Sequence, residues 1–390
     1  MWSLFSSSPS NNRLSDGKLF SKYRVQTNRK ASSDSIILSL SYVLGKMRML
    51  QKIGIPIIER ILNLLLPQPP QRSTEQFTNT SHRNGILPPM KLKTLFAAWT
   101  LTLLSTSLHA QNFQPIPDDI QAAISEAVPS KASATPAKER RILVFWKCEG
   151  FVHSSIPHGN AAVQAMSKKT GAFQVDLTNT YDVFTPENLA QYDAVLLNNT
   201  THMQFPEASQ LNAFLDFVSN GKGLIGFHAA SDNFGRHPEA RALIGGQFNG
   251  HPWNAGGTWA FKLDDPKHRL NQSFDGKGFW HTDEIYQYNP ESYVGTDTLR
   301  VLVSLDMNQK VVSERINDGP REVPVSWIRT ADKGRVFYTN FGHREETFRN
   351  PVMLQHMLDG IQYALGDLEA DATPTAKMAE RTAALAPEKN

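Results

Sequence analysis

The sequence predicts an α/β fold: a doubly wound, mainly parallel sheet with helices on both faces and an antiparallel strand extension. Three observations point to it. Short, nearly unbroken apolar runs at 141–147, 192–199 and 223–228 read as strands buried on both faces. Segments with helical spacing separate them, as a parallel sheet requires. Beyond residue 257 the helices give way to a succession of strands.

The elements follow in order. "RILVFWK" (141–147) is the first strand, and residues 155–169 have helical spacing. "FQVDLTN" (173–179) and "YDAVLLNN" (192–199) are the next strands, and a helix from Pro206 to Ser219 opens after a proline. "GLIGFH" (223–228) follows. In the second half, "GTWAFKLDD" (257–265), "TDEIYQY" (282–288), "LRVLVSLD" (299–306) and "VPVSWIR" (323–329) supply the antiparallel extension. "RVFYTNFGH" (335–343) is apolar enough to return to the main sheet, and a helix over 352–365 closes the domain.

The ends of the chain read differently. Residues 90–110 have the order of a secretory signal peptide: Lys91 and Lys93, an apolar stretch over 95–104, then small and polar residues to Ala110. Such a segment acts at a nascent N-terminus, which points to Met90 as the start of translation and to residues 1–89 as a mis-called, disordered upstream region. The apolar stretch within 36–66 is interrupted by Lys46, Arg48, Lys52, Glu59 and Arg60, so it does not read as a membrane span. Residues 111–139, rich in Ala, Pro, Ser and Lys, read as a linker or short helix, 140–366 as the folded domain, and 367–390 as a disordered tail.

Charge depends on where the mature protein begins. The 390-residue chain has a net charge of +3, but its first 110 residues hold 14 basic and 4 acidic side chains, which leaves the remainder at −7. A mildly acidic protein gives no footprint for nucleic-acid binding. The mature chain contains no transmembrane segment and is expected to be exported, periplasmic or extracellular. One cysteine, Cys148, excludes an intramolecular disulfide. Nothing in the residues signals an oligomeric state.

Polar candidates gather after the strands: "CEGFVHSSIPHG" (148–159), "NNTTH" (198–202), His228 to Asp232, and Gly342-His343. In a parallel sheet these tips share one edge, where ligands bind. Three chemistries compete there. Nucleophilic catalysis needs a Cys or Ser on the strand-to-helix turn, and the turn offers "GFHAA" instead. Cys148 follows another strand and reads as a packed residue. A metal site is open to His153, His158, His228, His251, Glu284 and His343, although no H-x-x-x-H or H-E-x-x-H spacing occurs, so the metal is unassigned and a divalent ion stays open as a cofactor. The third chemistry is acid–base work by imidazole and carboxylate. It assigns His228, His343 and Glu284 as catalytic; if 282–288 is a strand, Asp283 and Glu284 face opposite ways and only one can reach the cleft, and Glu284 is taken as that one.

Substrate-binding candidates are His153, His158, Asn198, Asn199, Asp232, His251 and Trp253. Trp253 and Trp280 could each supply an aromatic platform for a sugar or be ordinary core residues. Asn198 and Asn199 fit strand-end hydrogen bonding as well as contact to substrate hydroxyls. His228 and His343 could also be satisfied histidines capping strand ends. His237, His268 and His356 read as surface residues.

Taken in order, "RILVFWKCEGFVHSSIPHG", "YDAVLLNN", "GKGLIGFHAASD", "IGGQFNGHPW", "DEIYQY" and "PVSWIRTADKGRVFYTNFGH" with the closing helix resemble the ThuA-like (trehalose utilisation) family. The resemblance implies a flavodoxin-like fold similar to class I glutamine amidotransferases, without their catalytic Cys-His-Glu. It implies a small-molecule carbohydrate as partner, since family members are associated with disaccharide uptake and breakdown beside dehydrogenases that form 3-keto sugars. The expected function is therefore a hydrolase or lyase acting by acid–base chemistry on 3-keto glycosides or disaccharides. The alternative is a non-catalytic sugar-binding module that kept the cleft.

Overall fold

Alternation along the first strand sets the layers of the fold. In β1 (Arg141–Phe145), Ile142 and Val144 belong to the core on one face and Leu143 and Phe145 to the core on the other, and all four are buried. The computed structural model describes residues 113–317 and 321–389, within the compact unit Leu103–Asn390. The upstream region expected at 1–89 and the signal peptide at 90–110 lie outside the described residues.

The remaining strands are β2 (Gln174–Thr178), β3 (Ala194–Asn198), β4 (Gly223–Phe227), β5 (Thr258–Leu263), β6 (Phe279–Thr282), β7 (Arg300–Leu305), β8 (Pro324–Ala331) and β9 (Gly334–Thr339). They form one nine-stranded sheet in the order β2-β1-β3-β4-β9-β8-β7-β5-β6. Strands β2, β1, β3, β4 and β9 run parallel, and from β9 through β8, β7 and β5 to β6 every pairing is antiparallel. The parallel part is the half with the unbroken apolar strands. Every residue of β3 and β4 is buried, as expected when helices cover both faces.

Helices α2 (Ile156–Thr170) and α5 (Pro351–Leu365) cover one face of that half; α3 (Ala208–Ser219) and α4 (Pro238–Ile244) cover the other. Their ends are written locally. Asn350 caps α5 by accepting the backbone N–H of Val352 and Met353, with Pro351 in the first turn. Glu207 and Gln210 form a reciprocal capping box on α3. Gly360 lets α5 lie directly on β9, since a Cβ there would sit 2.2 Å from the Phe337 ring.

Three expectations are corrected. "TDEIYQY" is not a continuous strand: β6 ends at Thr282, and beyond it Ile285 and Tyr288 only bridge to Trp253 and Phe248. The linker is part of the fold. Its helix α1 (Asp118–Ala127) buries Ile124, and Lys169 donates to the carbonyls of Ser125, Glu126 and Val128. The tail expected to be disordered lies against the domain, with reciprocal 2.9 Å hydrogen bonds between Leu263 and Ala384 and a 2.6 Å ion pair between Arg140 and Asp367. Gly278 leaves room for that tail, because a Cβ would meet the Leu385 carbonyl carbon at 2.4 Å.

Among the described residues no helix is long and apolar enough to cross a membrane.

Candidate functional site

The C-terminal tips of β1, β3, β4 and β9 lie side by side, and the loops that follow them carry the polar residues. At the tip of β4 the chain turns sharply through the short helical turn His228–Ser231. His228 has φ 42°, a left-handed value that a non-glycine residue adopts at some cost. The turn is held from below. The His228 carbonyl accepts the Tyr338 hydroxyl at 2.7 Å, and Tyr338 also meets Ser231 Oγ at 2.9 Å and Asn340 Nδ2 at 3.1 Å.

The His228 ring is fully buried. Its Nδ1 lies 2.7 Å from the Asn340 carbonyl, which can only accept, so Nδ1 carries the hydrogen and Nε2 presents a lone pair. Burial drives its pKa well below the usual histidine value, with the neighbouring His153 and His343 adding to the effect. His343 Nδ1 lies 3.2 Å from His228 Nε2 and 3.1 Å from Glu284 Oε1. Glu284 Oε1 is in turn 3.8 Å from His228 Nε2.

His153 reaches the same point from the loop after β1, its ring edge-on to those of His228 and His343 at centroid distances of 4.9 and 5.0 Å. Burial, reinforced by His343, lowers its pKa to about 3. The loop is clamped by Thr201, whose carbonyl accepts Glu149 N and whose hydroxyl donates to the Phe151 carbonyl at 2.8 Å. One donor atom from each of His153, His228, Glu284 and His343 lies within 4.8 Å of the others, so these four could hold a metal ion.

A buried carboxylate outside the cluster organises it. Asp283, with no exposed surface, accepts the backbone N–H of Glu284 at 2.9 Å, Gly342 at 2.8 Å and Arg344 at 3.0 Å, and the Thr347 hydroxyl at 2.8 Å. It thereby fixes the backbone around both Glu284 and His343. Gly342 has φ 123°, which suits glycine, and its carbonyl accepts Ser155 Oγ at 2.8 Å.

The open side carries the more accessible groups. His251 Nδ1 lies 3.4 Å from the other Glu284 oxygen, Oε2, and half of its side chain is exposed. Asp232, next after the His228–Ser231 turn, pairs with His202 at 3.4 Å, and burial raises its carboxyl to about 6 against that partner's pull. Phe151 is 66% exposed at the rim, its ring nearly parallel to that of His343 at 6.4 Å.

Residues 141–364 match the model of the ThuA family, described by trehalose utilisation. The chain belongs to the ThuA family. That description is a carbohydrate-related one. The search of curated proteins returned no match. Among solved structures, this ThuA chain is similar to a ThuA-like protein from Bacteroides uniformis ATCC 8492, at 21% identity and TM-score 0.49, over 64% of this chain and 99% of that one. A ThuA-like protein from Parabacteroides merdae ATCC 43184 follows at 19% identity and TM-score 0.47, over 63% and 98% of the two chains.

Not every residue singled out from the sequence of this ThuA chain reaches the cluster. His158 lies on α2 with Nε2 3.5 Å from Glu345. Asn198 is buried and donates to the Ile156 carbonyl and Asn160 Oδ1. Asn199 spans from Asn198 Oδ1 to the Gly342 carbonyl. Trp253 is wholly buried and donates to the Val312 carbonyl, so it has no face to offer a sugar. Trp280 donates to the Pro387 carbonyl, with Lys389 over its ring.

Two histidines expected at the surface are core residues. His356 is fully buried between the Leu270 carbonyl and Ser326 Oγ, and His268 is buried against the Asp371 carbonyl. Cys148 is also buried, its thiol donating to the Asn199 carbonyl at 3.2 Å, and burial pushes its pKa up. That favours packing over nucleophilic attack. Phe151 and Asn340 were not singled out from the sequence, and Asp283 was weighed there only as the alternative to Glu284. For Phe151 the available signal was an aromatic beside a histidine in a strand-tip loop.

Proposed function

We propose that this chain is an exported carbohydrate-processing enzyme that cleaves or converts 3-keto glycosides or disaccharides by acid–base chemistry. The observation that carries the reading is the convergence of His228, His343 and Glu284 at the strand tips, with His251 and Asp232 on the open side. A binding module has little use for so many titratable groups in one place, whereas proton transfer needs them. The family description, trehalose utilisation, supports a glycoside as the substrate class. Export rests on the signal-peptide pattern of residues 90–110. We read the sheet as a flavodoxin-like variant, in which β2-β1-β3-β4-β9 gives the 2-1-3-4-5 order and β5–β8 form an inserted extension.

The proposed reaction follows from the substrate's own acidity. A carbonyl at C3 of the sugar acidifies the hydrogen on C2. His251, oriented through Nδ1 by Glu284 Oε2, takes that proton, and the electron pair forms an enolate. The enolate collapses by breaking the C1–O glycosidic bond, leaving an unsaturated keto sugar. Asp232, whose carboxyl burial raises to about 6, gives its proton to the departing oxygen while it is protonated. Phe151 offers an apolar face to the ring at the rim. Product analysis with 3-keto glycosides and their unoxidised parents tests the reading, because only the former have the acidic hydrogen.

A further inference from the structure

We propose that His153, His228, Glu284 and His343 together bind one divalent transition-metal ion of the zinc class. The assignment of the site comes from geometry; the ion's part in turnover rests on the functional reading above.

The spacing fits one coordination sphere. A tetrahedral ion with bonds of about 2.0–2.1 Å holds its ligand atoms roughly 3.4 Å apart. The separations here are 3.1 Å for His343 Nδ1 to Glu284 Oε1, 3.2 Å for His343 Nδ1 to His228 Nε2, and 3.8 Å for His228 Nε2 to Glu284 Oε1. All four donor atoms, including one from His153, fall within 4.8 Å of one another. A modest rotation of an imidazole closes the widest gap.

The surrounding hydrogen bonds prepare the ligands. The Asn340 carbonyl engages His228 Nδ1 and so points the Nε2 lone pair inward, the arrangement in which an outer acceptor fixes a metal-binding imidazole. Asp283 holds the backbone at Glu284 and on both sides of His343. His251 meets the Glu284 oxygen that faces away from the cluster.

Hydrogen bonding within the cluster does not complete it. A proton on His343 Nδ1 can be shared between Glu284 Oε1 and His228 Nε2. His153 is 3% exposed, yet its Nδ1 has no hydrogen-bond partner. A buried polar atom of this kind calls for an explanation, and a cation bound at that nitrogen would supply one.

The donor set selects the ion. Three imidazole nitrogens and one carboxylate suit zinc, iron or nickel, whereas magnesium and calcium favour oxygen-rich sites. When bound, such an ion is a Lewis acid that polarises a carbonyl oxygen, the group that defines the proposed substrate.

The test uses the full-length chain, stripped with a chelator and titrated with cobalt(II), read by visible absorption and by metal content. One cobalt per chain is expected, displaced by zinc(II) and not by millimolar magnesium or calcium. His343→Ala and Glu284→Gln should each weaken cobalt binding by more than the roughly 10–100-fold typical of outer-shell substitutions. His153→Phe preserves ring volume and serves as a third ligand deletion should one of the others unfold, with circular dichroism checking each fold. Absence of stoichiometric cobalt, or unchanged affinity in correctly folded ligand variants, overturns the site. The readout needs no sugar. Cobalt bound by a protein inert toward 3-keto glycosides would refute the catalytic reading alone, and turnover of those glycosides without metal binding would refute this inference alone.

Discussion

The Asn340 carbonyl oxygen, just beyond the end of β9, lies 2.7 Å from His228 Nδ1 at the tip of β4. This contact joins two parallel neighbours and decides which face of the imidazole is chemically available. Asn340 also accepts the Tyr286 N–H at 2.9 Å, and the Tyr286 ring packs on His228 with centroids 4.4 Å apart. A histidine kept for packing alone would not need its second nitrogen turned toward Glu284 and His343.

His228→Asn separates that role from a structural one. Asparagine tolerates the left-handed backbone at this position but cannot extend to the cluster. Turnover should fall by about 10²-fold or more, the range of a positioned proton-transfer or ligand group. Denaturation should show a loss of at most ~2 kcal/mol, from the smaller buried side chain. Preserved turnover per folded molecule, with stability lost, would leave His228 as a packing residue.

Asp232 gives the pH dependence of the proposed reaction. The group acts as an acid only while protonated and its carboxyl is raised to about 6 by burial, so turnover should decline as pH rises through that value. Asp232→Asn should remove this limb and slow substrates with poor leaving groups by roughly 10²-fold or more, while sparing those whose leaving oxygen needs no proton. Equal losses for both kinds of leaving group would contradict the assignment.

The parallel half of the fold was legible because strands covered on both faces are apolar throughout, so β1, β3 and β4 announce themselves. The meeting of His228 and His343 followed from the same property, since parallel neighbours deliver their tips to one edge. The separation of Asp283 from Glu284 by strand alternation lost its premise, because β6 ends at Thr282 and only isolated bridges follow. Residues 367–389 were not legible. They carry few large apolar side chains and are held by backbone hydrogen bonds and ion pairs with distant residues, such as Leu263 with Ala384 and Arg140 with Asp367. His356 failed for a related reason, because its partners Leu270 and Ser326 are remote in sequence.

The burial of His356 has a measurable consequence. Burial, with a smaller contribution from His268, lowers its folded-state pKa to about 4, while the Leu270 carbonyl opposes the shift. Between about 6.5 and 4 the unfolded chain takes up a proton that the folded chain refuses, so stability falls as pH drops through that window. The full contribution is on the order of 3 kcal/mol. Urea denaturation at several pH values should show a shallower acid loss in His356→Gln than in the parent; parallel curves would contradict this.

Export carries its own check. If residues 90–110 are a signal peptide, the protein recovered from outside the cytoplasm of the native host should begin near Gln111. N-terminal sequencing that finds residues from 1–89 in the exported protein would refute the expectation.

The proposed use of a sugar carbonyl by this ThuA chain to break or convert a glycoside can be tested in a single assay. The most direct measurement incubates the purified protein with 3-keto trehalose or a 3-keto glucoside in deuterated water and follows both products by NMR, beside the unoxidised parents. Release of the alcohol or second sugar is expected from the keto substrates alone, with deuterium incorporated at C2 of any recovered starting material whose proton abstraction reverses. Cleavage of the parent at a comparable rate, or binding of the keto substrate without turnover, would contradict it.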